Sequence, residues 1–583
     1  MAQAKKEKED LLSDYATLEK TKQLLKALDG SSAASDLKKC LDIIIRTCSC
    51  YTTSPEIKEV REITSQKESQ LEMARNRMKL GYTTPGDEGK FVEMSSVGLR
   101  NVMSTNSDEA TRKAAYEGLR TIGPFVCENG FVEIIKLRNK LAKSLGFEDY
   151  YDYKVTNAEG MSKKKLFEIL DGLEEGTRPI MEKSQKVLVE RHGSDATNPW
   201  NTTFMLSGSV MEKMEYVCHI VLESPERYVS CYAKLGITYE GSVMNLDLLE
   251  RKNKYCKMMK KLELRMNLVF TLAFTDLVSF IFTTSEWAVG SGHRALTTLM
   301  HEAGHAAHFA NIKQPSPLFG QEHPPFSAAL AEGQSMFLDA LVDDAAWRAK
   351  YALDTNGNPI PFELIEEEIK ATHPFKVRSL RAMLSVPYFE KALYELADDE
   401  VTVDRIQQLA DDVEKKIQGS LVSCSLILNF LLLLFHPPDR LAEMCVHQTR
   451  AFVLDRDGYI VDNPKVGPTL ANAYWKYGNE RPFLELIQEL TGKELSGEAW
   501  VSALQIGTEE HLQEERNEYD KSVREMQKKR DATGESKQDT AGEAEPDLNM
   551  TIRFVDGDEL IADSSNGGLL KACKDFESYV LQK

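Results

Sequence analysis

ALTTLMHEAGHAAHFANI, residues 295–312, is the stretch on which the rest of the chain turns, because it contains His301-Glu302-Ala303-Gly304-His305. At about 100° per residue, two histidines four apart leave a helix from nearly the same face, so both imidazoles can meet one metal ion. The glutamate between them can reach a water on that ion, which is the logic of the HExxH pattern. Leu296, Leu299, Ala303 and Ala306 supply the small and apolar neighbours of a buried site helix, and Val289-Gly290-Ser291-Gly292 reads as the loop into it.

A catalytic zinc needs a third protein ligand and one open position. An HExxH motif followed by a glycine and then a further histidine, three and six places beyond His305, would supply one; the chain has His308 and Asn311 there, so that arrangement is rejected. His308 is read as a packing or supporting residue. Two carboxylates remain. Glu322, in QEHPP beside Pro324 and Pro325, falls in a loop and is the weaker. Glu332, in FSAALAEGQSMFLDALV, falls on a second helix whose Phe326, Ala329, Leu330, Gly333, Phe337 and Leu338 form an apolar face toward the first. One Zn2+ on His301, His305 and Glu332, with Glu302 as the base, is the expectation.

The residues from Arg294 to Tyr351 resemble the metal-binding core of the thimet oligopeptidase and oligoendopeptidase F family of zinc peptidases. The likeness continues in LRNKLAKSLGFEDYYDYKV (137–155) and in the segment from Tyr459 to Trp500, and spans roughly Ser95 to Leu504. It implies a mainly α, two-lobed fold with a deep central channel and little β structure, and Glu332 at the position of the family's third ligand. It also implies oligopeptide substrates, cleaved when Glu302 takes a proton from zinc-bound water and returns it to the leaving amine.

Two segments depart from that family. Its Tyr/His-rich oxyanion-donor segment is replaced by FLLLLFHPPDR (430–440), which leaves His436, beside two prolines and read as a turn residue, with Tyr459, Tyr474 and Tyr477 as substitutes. Lys254 to Trp287 is also far more apolar than the corresponding family segment. A catalytically impaired protein that binds zinc and peptides is therefore the alternative to an active endopeptidase.

Bulk properties narrow the field. A formal net charge of −19 argues against nucleic acid and anionic membranes as partners. Ten cysteines without a C-x-x-C pair suggest reduced thiols rather than disulfides or a thiolate zinc site. The charged beginning MAQAKKEKEDLL has no apolar core, so the expectation is a cytoplasmic protein, taken as a monomer. The apolar stretches Met266–Phe282 and Leu421–Phe435 are short for a membrane span and are read as buried elements.

Along the chain, residues 1–94 read as an N-terminal helical region and 95–505 as the catalytic domain. Residues 506–549 read as a charged helix with a disordered linker, and 550–583 as a C-terminal appendage of unknown role. Ser107 is the expected cap of the helix that follows it, and Pro124 the expected break after that helix.

Overall fold

In the computed structural model the described residues are all except 1–6, 8, 9, 29–34, 52–54, 87, 88, 208–223, 250–268, 273–277, 284–291, 314–326, 355, 420–436, 534–546 and 583. Helices dominate from Tyr15–Ala27 to Leu569–Gln582. Val403–Gln418 illustrates why they form. The Thr402 side chain caps its first turn by accepting from Arg405 N–H, and Ile406, Leu409, Ala410, Val413 and Ile417 bury one stripe. Gly419, at φ +64°, ends the helix in a left-handed conformation that costs glycine little. Arg381, on Lys376–Tyr394, then ties this helix to Lys163–His192. It is 1% exposed, donates to the Ile417 carbonyl, and bonds Thr177 Oγ1 at 2.9 Å and Glu174 Oε1 at 2.7 Å.

Two sequence expectations shift by a few residues. The cap before Glu109–Arg120 is Asp108, not Ser107, because the Asp108 carboxylate accepts the Thr111 N–H. Pro124 lies within the short helix Ile122–Val126, near the start where its missing N–H is not needed. The chain instead bends at Asn129 and Gly130, the latter at φ +111°.

The strand content is small and specifically placed. β1 (Gly81–Thr83) and β2 (Phe91–Glu93) form an antiparallel pair. A second sheet contains β3 (Ser242–Asp247), β4 (Val269–Leu272), β5 (Val278–Thr283), β6 (Met550–Asp556) and β7 (Glu559–Asp563), in the order β4-β5-β3-β6-β7. β3 is its centre. It pairs in parallel with β5 through Met244↔Phe280 and with β6 through Met244↔Ile552. Being paired on both sides, β3 is buried along nearly its whole length. The C-terminal segment is thus built into the main sheet, over 300 residues from its partner strand in sequence.

The apolar run Met266–Phe282 supplies β4 and part of β5, while Leu421–Phe435 lies outside the described residues. Among the described residues no helix is long and apolar enough to cross a membrane.

Candidate metal centre

Residues 295–312 lie almost wholly on the helix Gly292–Ala310, the site helix, and Glu332 lies on Ala328–Asp339. The Ser327 hydroxyl starts the second helix. It accepts the Leu330 N–H at 3.0 Å and donates to Glu159 Oε2 at 2.6 Å. Met300, Ala303, Ala306 and Ala307 are fully buried, so the site helix meets its neighbours through small or flexible side chains.

Gly304 explains how the two helices come so close. A Cβ there would stand 2.8 Å from Ser335 Cα and 3.3 Å from Leu338 Cδ1. On the opposite face, Gly333 admits Cys445 of Pro437–Asp457, whose Sγ would be 3.5 Å from an added Cβ. Ser335 Cα is backbone and cannot swing aside, so Gly304→Ala should cost about 1–3 kcal/mol of stability through overpacking. Thermal unfolding of the metal-free protein measures it; an unchanged midpoint would contradict the close packing.

That approach gathers three donors. His301 Nε2 and His305 Nε2 each lie 3.4 Å from Glu332 Oε2. The two rings are 4.9 Å apart at 87°, and one ligand atom from each of the three residues falls within 4.8 Å of the others. The Glu332 side chain keeps 35% of its surface exposed, so the donors face an opening rather than a closed core. Two imidazoles and one carboxylate suit a divalent metal with a coordination position left over.

The electrostatics agree with a cation-binding site. Burial alone would lower His301, but Asp339 and Glu332 outweigh it and raise the imidazole to about 10. Burial alone would raise Glu332, but its bonds to His301 and His305 hold it well below the usual carboxylate range. Without a metal the cluster therefore keeps a proton where a cation would sit. Burial also pushes Glu302 above its ordinary value, and the positive influence of His305 and His301 only partly offsets this.

Sequence reasoning missed Asp339. Its Oδ2 lies 2.7 Å from His301 Nδ1, so the carboxylate can accept that N–H and turn the other ring nitrogen, Nε2, toward the cluster. The available signal was its spacing: seven residues after Glu332 is two turns, hence the same helix face.

The remaining candidates lie elsewhere. His308 is wholly buried against Phe309 and Trp475, and burial pushes it down to about 3, in keeping with a packing role. Tyr474 is buried with its hydroxyl 3.0 Å from Thr449 Oγ1. Tyr477 lines an open recess with Arg456, Pro464, Lys465 and Glu489, and Tyr459 is 39% exposed. His436 and Glu322 lie outside the described residues. Trp475, beside Tyr474, donates to Gln334 Oε1 at 2.9 Å and so braces the second helix.

Residues 241–426 match the profile of peptidase family M3, and residues 1–184 match that described as angiotensin-converting enzyme. The fold is similar to that of PZ peptidase A with inhibitor 2, at 16% identity over 87% of this chain and 85% of that one, with a TM-score of 0.52. It is also similar to the M32 carboxypeptidase from Deinococcus radiodurans R1, at 13% identity over 88% and 89%, with a TM-score of 0.50. Trypanosoma cruzi metallocarboxypeptidase 1 matches at 12% identity over 86% and 90%, with a TM-score of 0.53. No curated protein matches the sequence significantly.

The HExxH helix and the M3 match over residues 241–426 indicate a metallopeptidase, a hydrolase of peptide bonds. Within that class it resembles the thimet oligopeptidase and oligoendopeptidase F family, and the M3 match spans the HExxH and Glu332 alike.

Proposed function

We propose that the protein is a zinc-dependent endopeptidase of short peptides, with one Zn2+ held by His301, His305 and Glu332. The observation that carries this is the meeting of both Nε2 atoms at 3.4 Å from one Glu332 oxygen, with Glu302 on the same helix. Zinc bound there would polarise the peptide carbonyl and acidify water. Glu302 takes a proton from the attacking water onto its carboxylate and hands it to the amine nitrogen as the peptide bond breaks. Its burial favours the first transfer, because a desolvated carboxylate holds a proton more tightly. Asp339 keeps the His301 proton on Nδ1. The preference for short peptides is supported by the family resemblance.

A second reading, metal and peptide binding without turnover, is favoured by the placement of the tyrosines. The Tyr474 hydroxyl is engaged by Thr449 and Tyr477 lines a separate recess. One preparation separates the two. Under the proposal, purified protein carries about one zinc per chain and cleaves short quenched peptides; a chelator abolishes cleavage and added zinc restores it. Full zinc occupancy with peptide affinity and no cleavage would favour the second reading, and no metal uptake would defeat both.

A further inference from the structure

The back of the site helix is held by hydroxyls. Ser224–Lys234 carries Tyr228 and Tyr232, and the chain then turns through Gly236, at φ +74°, to Thr238, Tyr239 and β3. Tyr232 and Tyr239 are both 0% exposed. A phenol buried so completely has to find an acceptor inside the protein, and both find one on the same helix. Tyr232 Oη donates to the Met300 carbonyl at 2.5 Å, and Tyr239 Oη to the Ala303 carbonyl at 2.8 Å. A third bond follows further along, where Asn311 Nδ2 donates to the Thr238 carbonyl at 2.8 Å.

These contacts bracket the chemistry. Met300 precedes His301, and Ala303 follows Glu302. Two carbonyls held from the side fix both the rotation of the helix about its axis and its position along that axis. Those are the two coordinates that decide whether His301 and His305 reach the same Glu332 oxygen, and site geometry tolerates only about 0.5 Å and 10–20° of error.

The tyrosines are themselves anchored. Tyr239 N–H donates to the Leu548 carbonyl and Gly241 N–H to the Asn549 carbonyl, each at 2.8 Å, where β6 enters the sheet. Gly236 lies against the Pro464 carbonyl, too close for any side chain, and Gly467 N–H donates to the Leu235 carbonyl at 2.8 Å. The layer behind the site helix is therefore clamped by two segments remote in sequence, one of them C-terminal.

We propose that Tyr232 and Tyr239 are positioning residues of the metal centre: their hydroxyls hold the HExxH helix in the orientation that lets both histidines share a metal with Glu332. This rests on the metal-centre assignment above. The ordinary alternative is that two buried phenols merely satisfy themselves on nearby carbonyls and contribute stability alone.

Cobalt(II) is the probe, because its ligand-field spectrum reports geometry directly. Metal-free wild type, Tyr232→Phe, Tyr239→Phe and the double variant are titrated with cobalt(II), and thermal unfolding is followed without metal. Phenylalanine retains the ring and its packing, and either single variant suffices should the double one not fold. The expected result is a cobalt affinity about tenfold lower in the double variant, as for lost supporting contacts at other metal sites. A changed visible spectrum should accompany it, and kcat should fall more than KM changes. Variants that melt earlier yet bind cobalt with wild-type affinity and spectrum would overturn the proposal. Should the wild type itself take up no cobalt, the metal-centre assignment fails first, and this proposal with it.

Discussion

Glu302→Gln should retain zinc and lose cleavage. Glutamine has nearly the shape of glutamate but cannot take a proton from water at neutral pH, so the substitution tests the base without opening a cavity. Glu302 is not among the three clustered donors, so zinc content should remain at the wild-type level. A positioned general base is worth roughly 10²–10⁴-fold in rate, and that is the expected fall in kcat/KM. Most of it should appear in kcat, because proton removal belongs to the transition state more than to binding. The wild-type pH profile offers a second check. Burial raises the proton affinity of Glu302, so the rate should fall as pH drops through that raised value, and the limb should be absent from any residual activity of the variant. Cleavage by Glu302→Gln at the wild-type rate would remove Glu302 from the mechanism.

Glu332→Ala should lose the metal. If the about 10–16 kcal/mol that zinc sites gain from four ligands is shared evenly, one ligand accounts for about 3 kcal/mol, or on the order of a hundredfold in affinity. The helix itself should persist, since alanine is the better helix former and the apolar face of Ala328–Asp339 is untouched. His301 retains Asp339 at 2.7 Å, so the remaining donors stay ordered, and the loss can be assigned to the missing oxygen. Competition with a chelator of known zinc affinity gives the number. Glu322→Ala is the matched control, since Glu322 is the other carboxylate that the sequence offers after the motif. Zinc affinity lost in Glu322→Ala and kept in Glu332→Ala would exchange their roles.

Much of the centre was legible because it is local. Two histidines at i and i+4 must share a helix face whatever surrounds them, and an apolar stripe around Glu332 announces a packed second helix. The mainly helical class followed from the same periodicity. Even Gly304 stood in plain view within the motif, although its reason did not. That reason is Ser335 Cα on the other helix, and no reading of one helix can supply it.

What needed the folded chain was everything that joins segments far apart. Asp339 matters only because helix packing aims its carboxylate at His301 Nδ1. Nothing in the sequence singles out Tyr232 and Tyr239; the folded chain is what sets their hydroxyls on the Met300 and Ala303 carbonyls. Met550–Asp556 looked like an appendage, because the partner that makes it a sheet strand lies at Ser242–Asp247. Tyr474 and Tyr477, plausible donors by residue type, are committed to Thr449 and to a separate recess. Spacing along a helix is set by backbone geometry and can be counted from the residues alone. Contacts across hundreds of residues are chosen by packing of the whole core, and they become visible only once that core has formed.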